Sequence, residues 1–300
     1  MKTSQASLTQ ASLKIATLTL AFATAILSSA CGDKGASVGS NKTSFDSPGE
    51  AAVEFSEAVR AGDKARLTAL LGPESALLLN PGDTVQGGNE RKAFLQAYDS
   101  VRLLVPAGPD TFILEVGGGR WPLPLPIIRS GDGWKFDTNT GIREMVLRRI
   151  GRDELAVIGV CKGLVAAQQE YAAKFGTFAA KLRSEPGKQD GLYWETQAGE
   201  PQSPAGPMIG WAEAQGYTPG AASGKTAPYR GYFYRRLNVQ DPKKTFAILA
   251  YPAEWEASGI MTFIVNEKGE IYRKNLGTDT AKAAEEIQIF APDETWTRES

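Results

Sequence analysis

The sequence predicts an α+β protein of two successive halves joined by one long helix, and three observations carry that expectation. Capped amphipathic helical segments crowd residues 47–98, and strand-like runs replace them from 111 to 136. After a helical pattern over 148–176, four further strand-like runs follow between 229 and 276. The long stretch is the joint: Leu155, Ile158, Cys161, Val165, Ala172 and Phe175 recur at spacings of three, four and their multiples, which places them on one helix face. The expected limits are 1–30 for a signal segment, 31–44 for a tether, 45–147 for the first α+β half, and 148–300 for the helix with its sheet.

Residues 1–30 carry lysine only at positions 2 and 14 and no acid, then an apolar run over 15–27 that ends in Ser28-Ser29-Ala30-Cys31. That is the pattern of a secretory signal, and the run falls short of the ~20 apolar residues of a permanent span. The small residues before Cys31 resemble the cleavage box of bacterial lipoproteins, in which the cysteine thiol is acylated and becomes the new N-terminus. Ser28 stands where a large apolar residue is usual, so ordinary cleavage after Ala30 is the alternative. From Gly32 the chain is Gly, Ser, Lys and Asp without periodicity, as in a flexible tether. Acyl chains contribute ~0.8 kcal/mol per buried CH₂, enough for a multiply acylated cysteine to anchor the protein. The expected location is the periplasmic face of a bacterial membrane, the outer rather than the inner one because Gly32 and not aspartate follows the cysteine. Without lipidation it is the soluble periplasm.

Removing residues 1–30 leaves 31 basic against 34 acidic residues, a balance that favours neither nucleic acid nor an anionic surface. The chain has no histidine and 2 cysteines. That composition removes Ser-His-Asp and Cys-His catalysis and imidazole metal ligation; no cofactor or metal is expected. With Cys31 acylated, Cys161 has no disulfide partner and reads as a small buried hydrophobe.

Taken in order, Ser47-Pro48-Gly49-Glu50 starts a helix by capping box and N-terminal proline, and Gly62 ends it. Asp63 caps a second helix with Leu67, Leu70 and Leu71 inward. A third is expected over 89–98, with Phe94, Leu95 and Tyr98 apolar. Residues 111–116, the turn Gly117-Gly118-Gly119 and residues 120–129 read as a hairpin, and Gly131-Asp132-Gly133 leads to a third strand through Phe136. Pro122, Pro124 and Pro126 alternate along one edge, so that strand lies at a border or is locally unpaired. Helices followed by a curved antiparallel sheet resemble the cone-shaped nuclear-transport-factor-2-like (NTF2-like) fold, which implies a pocket lined by Tyr98, Glu115, Arg120, Trp134 and Asp137. Aromatic core residues with rim charges are the plainer account of the same five.

After Gly176, Pro/Gly-rich loops run to about 228. Strands are expected over 229–237, 245–251, 260–265 and 270–276, the second apolar on both faces and therefore central. A helix capped by Asp279 follows. A long helix on an antiparallel meander is similar to the pilin-like layout.

Ser223-Gly224-Lys225-Thr226 lacks the leading glycine of a phosphate loop, which is Pro219 here, and reads as a plain loop. Aromatics at 229 and 232–234 interleaved with Arg230, Arg235 and Arg236 read as a cross-strand cluster. Glu254 and Glu256 read as solvated acids. The segment Lys188 to Trp194 offers a recognition loop of Lys188, Asp190, Tyr193 and Trp194, or a turn that Asp190 shapes and the two aromatics pin.

The phrases LRSEPGKQDGLYW at 182–194, Pro228-Tyr229-Arg230-Gly231-Tyr232, Tyr251-Pro252-Ala253-Glu254, Met261-Thr262-Phe263-Ile264-Val265-Asn266 and Leu276-Gly277-Thr278-Asp279-Thr280 resemble the bacterial exported-protein family catalogued as domain of unknown function 2950. Trp134-Lys135-Phe136-Asp137-Thr138 and Arg148-Arg149-Ile150-Gly151 extend the resemblance over nearly all of the chain after the tether. Where that family often carries an Asp/Gly-rich segment after the long helix and a histidine after the tyrosine at 229, this chain has Lys174-Phe175-Gly176 and Arg230. The resemblance therefore transfers no metal or acid–base role to those positions. It implies export and a shared architecture. The expectation is a non-catalytic binding or assembly module of the cell envelope, anchored by lipid, with an envelope protein or glycan as partner. The alternative is a small-molecule-binding or hydrolytic protein using a pocket in the first half.

Overall fold

Helix α1 (Pro48–Ala61) begins where Ser47 Oγ accepts from Glu50 N at 3.1 Å and ends at Gly62, whose φ of 65° is left-handed. The computed structural model describes residues 43–139, 141–218 and 227–299. Cys31, the signal segment, the tether up to 42 and Ser223-Gly224-Lys225-Thr226 lie outside them. Helix α2 (Lys64–Leu71) is capped by Asp63, and a 3-10 turn (Pro73–Ser75) leads into the short α3 (Ala76–Leu79). Helix α4 (Thr84–Ser100) starts earlier than the sequence suggests: Asp83 caps it through Gln86 N at 2.9 Å, and Gly87-Gly88 are carried inside it.

The first sheet runs in the order β1 (Arg102–Gly108), β2 (Thr111–Val116), β4 (Ile127–Ser130), β5 (Gly133–Phe136), with β3 (Trp121–Pro122) also on β2. Strand β1 was not anticipated; it is a mostly exposed edge strand with a register break between Pro106 and Gly108, a place where a strand proline is tolerated. The expected single strand over 120–129 is broken into β3 and β4. Between them Leu123 and Leu125 plunge into the core at 1% and 0% exposure, while Pro122 ends β3 opposite Glu115 and Pro124 and Pro126 lie between the two strands. Phe45 exchanges two 2.8 Å backbone hydrogen bonds with Trp134, tying the end of the tether to β5.

Helix α5 (Gly141–Phe175) begins upstream of the expected start. At Gly141 a Cβ would stand 1.7 Å from Pro124 O, so only glycine lets the chain turn there. Ile142, Val146 and Ile150 belong to the first core cluster, and Val157, Cys161, Leu164 and Tyr171 to the second. The expected apolar face needs correction: Leu155 is 72% exposed and Phe175 38%. The buried stripe is rotated because two polar residues, Asp153 and Gln168, lie in it with partners. Gln168 makes a reciprocal pair with the Ala179 backbone at 2.8 and 3.2 Å.

The stretch read as loops holds a two-stranded parallel pair, β6 (Lys181–Arg183) and β7 (Gly191–Tyr193), and helix α6 (Gly206–Ala214). The second sheet is antiparallel in the order β12 (Thr297–Arg298), β11 (Ile271–Asn275), β10 (Met261–Asn266), β9 (Ala247–Pro252), β8 (Tyr232–Arg236). Strand β9 is central as expected. Ile248 and Ala250 join the cluster under α5, whereas Ala247 and Leu249 join a third cluster that includes Ala284 of α7 (Thr280–Glu286). Each fully buried aliphatic side chain there contributes ~1.5–3 kcal/mol. Glu154 pins α5 to β10 by accepting from Ile260 N and Met261 N, both at 3.0 Å. The described residues thus pack as one unit.

Candidate functional site

Between α1, α2, α4 and the early turns of α5 lies a cavity of about 810 Å³, within the ~300–1,000 Å³ of small-molecule sites. Phe55, Leu71, Phe94, Val116, Leu123 and Met145 supply an apolar floor. The helical pattern explains the space: Gly87 and Gly88 face it on α4, and a Cβ at Gly88 would meet nothing within 4 Å. The rim is charged, with Lys64, Arg91, Arg148, Arg149 and Arg152 against Glu90. Arg149 is 5% exposed and donates to Leu77 O and Leu78 O at 3.2 and 2.9 Å, holding α3 on α5.

A second, polar concavity of about 660 Å³ shares Glu90, Ala93 and Arg152 with the first and adds Gln86, Asn89, Lys92, Tyr217 and Arg230. Beneath it runs a buried polar seam. Asp83, 1% exposed, accepts from Gln86 N, from Tyr217 Oη at 2.8 Å and from Gly231 N at 3.0 Å. Gln86 Nε2 donates to Asp153 Oδ1 at 2.7 Å, while Asp153 Oδ2, Gln86 Oε1 and Arg230 Nε have no hydrogen-bond partner among the described residues. Burial pushes the Asp153 carboxyl up to about 6, against the Gln86 hydrogen bond and the Arg152 charge, which pull it down. The Tyr217 hydroxyl is raised by burial and by its bond to Asp83. Gly231 has φ 75°, and a Cβ there would stand 2.9 Å from Ser258 Cβ and 3.3 Å from Asp153 Oδ2, so the close passage of the chain favours glycine.

The five residues expected to line one pocket make other contacts around the first sheet. Tyr98 packs in the core beside Phe94, ring centroids 5.9 Å apart, under the Arg102 guanidinium. Glu115 and Arg120 form an ion pair at 2.7 Å across the glycine turn. Trp134 is covered by Phe112 and by Arg129, 4.6 Å from its ring. Asp137 accepts from Asn139 N at 3.4 Å in the loop before α5. None of the five lines either concavity. Side chains of β2 and β5 fill the space between sheet and α1, so the cavity opens on the helical side instead.

In the recognition-loop segment, Lys188 pairs with Glu185, and Asp190 accepts from Glu185 N at 3.0 Å and Lys181 Nζ at 2.8 Å. The Lys181 hydrogen bond holds the Asp190 carboxyl below its ordinary range. Tyr193 lies under Arg183, and Trp194 meets the Phe175 ring at 6.2 Å with Lys174 above it. Cys161 is fully buried, and burial pushes its thiol up to about 12, leaving it an inert hydrophobe.

Asp83, Gln86, Asp153 and Gly88 escaped the sequence reading. The signals were present: Asp83-Thr84-Val85-Gln86 has the spacing of a capping box, and Asp153 sits four residues from Arg149 and from Val157. The first was missed because the helix was expected to begin at 89, after Gly87-Gly88. Among the described residues, no group of three or more His, Cys, Asp or Glu is placed to hold a metal, and no helix is long and apolar enough to cross a membrane.

A family model described as "Protein of unknown function (DUF2950)" matches residues 42–298. No curated protein and no solved structure matches the chain.

Proposed function

The chain belongs to the DUF2950 family, and from that membership we propose that it is an exported, non-catalytic binding module of the cell envelope that holds a small apolar or amphipathic molecule in the cavity of its first half. The observation that carries this reading is the 810 Å³ cavity with its apolar floor of Phe55, Leu71, Phe94 and Met145. The space opens to solvent at its charged rim, and a contiguous apolar patch left open to water is a feature of binding sites. A chain without histidine, whose cavity floor bears no nucleophile, is suited to holding a molecule rather than converting it.

In the same reading the helices over the first sheet are arranged as in NTF2-like proteins and α5 on the second sheet as in pilin-like ones. Acylated Cys31 anchors the protein on the periplasmic side, at the outer membrane by the Gly32 rule. An envelope protein or glycan docks through the second half, where Trp211 is 56% exposed with the Arg230 guanidinium over its ring at 4.9 Å.

A neutral long-chain alcohol carrying a photoreactive group, added to washed envelopes, tests the cavity. Label is expected on peptides of α1, α4 and α5 and is reduced several-fold in Gly88→Leu, which fills free space and exchanges a helical glycine for a residue favoured by ~0.8–1 kcal/mol. Label spread over the surface and indifferent to Gly88→Leu would refute the binding reading.

A further inference from the structure

We propose that the apolar cavity and the polar concavity are the two ends of one site, and that it takes a single-chain amphiphile with an anionic head group. The proposal rests on the binding reading above and names its ligand class. Glu90, Ala93 and Arg152 line both spaces, which places the apolar floor and the polar wall next to each other along α4. A volume of about 810 Å³ suits one chain rather than two.

Charge selects the head. The apolar cavity's rim holds Lys64, Arg91, Arg148, Arg149 and Arg152 against the single carboxylate Glu90, and the polar concavity adds Lys92 and Arg230. Internal pairing does not absorb this excess. Glu90 already receives both Arg149, at 3.3 Å, and Arg152. Arg148 is held by Glu144 and Lys64 by Asn80 Oδ1, whereas Arg91 has no hydrogen-bond or ion-pair partner among the described residues. Arg91 is thus the rim cation that no side chain of the described residues neutralises, and a neutral ligand leaves it so. A carboxylate or phosphate accepts from guanidinium in paired hydrogen bonds. An anion without a chain leaves Phe55, Phe94 and Met145 unused.

The test adds a photoreactive long-chain carboxylic acid to the neutral alcohol of equal length, in washed envelopes without ATP or coenzyme A, so that the acid is not activated and transferred to Cys31. The acid is expected to label α4 and α5 about tenfold more than the alcohol, the change that one charge-assisted contact gives. The double variant Arg91→Gln/Arg148→Gln, both exposed and therefore compatible with folding, is expected to bring the ratio of acid to alcohol labelling down to about one. Competition by an unlabelled fatty acid and by an anionic lysophospholipid then tells a carboxylate head from a phosphate. Equal labelling by acid and alcohol, or acid labelling unmoved in the double variant, overturns the anionic head while the binding reading stands. Absence of both labels from α4 and α5 overturns both.

Discussion

Asp153 lies 1% exposed on the buried stripe of α5, one carboxylate oxygen bonded to Gln86 Nε2 and the other without a partner. Burial, with a smaller push from the Glu90 charge, outweighs the Gln86 hydrogen bond and the Arg152 and Arg149 charges, lifting its pKa from 3.8 to about 6. The native state therefore binds the proton more tightly than the unfolded chain does. Below pH 4 both states are protonated and the site contributes no slope. Between pH 4 and 6 the native state holds more protons, so stability falls as pH rises, and above 6 a penalty on the order of 3 kcal/mol remains. Asp153→Asn keeps the acceptor for Gln86 and removes the charge. The variant is predicted to be more stable than wild type at pH 7.5 and to lose that advantage toward pH 4, read from urea midpoints across the range. A constant difference between the two proteins at every pH would contradict the assignment. Such a residue is visible in sequence only as a charge inside an apolar stripe. Nothing local says that Gln86, sixty-seven positions earlier, satisfies it.

At the scale of elements, the loop between β6 and β7 is the clearest case of a reading that the contacts refine. The aromatics were expected to pin it, and they do so at its edge: Leu192 is fully buried, whereas Trp194 is half-buried against Phe175 and Lys174. Trp194→Ala is therefore predicted to cost about 1–2 kcal/mol, short of the ~3–5 of a fully enclosed large aromatic. Lys188→Ala, which loses only an exposed pair with Glu185, is predicted to cost less than ~1 kcal/mol. Thermal unfolding of both proteins measures this. If the Lys188→Ala protein keeps its stability but loses crosslinked envelope partners, the loop is a recognition surface and the pinning account fails. Helix α4 teaches the complementary lesson. Its cap at Asp83 was missed in sequence because the helix was expected to start at 89, and its two glycines only make sense once a cavity lies opposite them.

For the whole molecule, α5 carries the organisation, because its first turns close one core and the rest lies on the second sheet. The proposed anchor at Cys31 is tested separately. Cys31→Ser is predicted to move the protein from the detergent-extracted to the soluble periplasmic fraction and to abolish labelling by a palmitate analogue. Unchanged fractionation, together with an unlabelled wild type, would remove the lipid anchor and leave ordinary cleavage after Ala30.

The sequence by itself determined the α+β class, the family, the capped starts of α1 and α2, the central place of β9 and the burial of Cys161. Those features follow from local chemistry: cap side chains, turn glycines and apolar runs act within a few residues of one another. Tertiary structure alone decided which face of α5 is buried, that 181–214 holds two strands and a helix, and that the cavity opens among the helices rather than over Glu115 and Asp137. The physical reason is that each depends on partners far apart in the chain. Asp153 and Gln168 are tolerated inside because Gln86 and the Ala179 backbone bond them, and a cavity is a property of surfaces that meet, which no single stretch encodes.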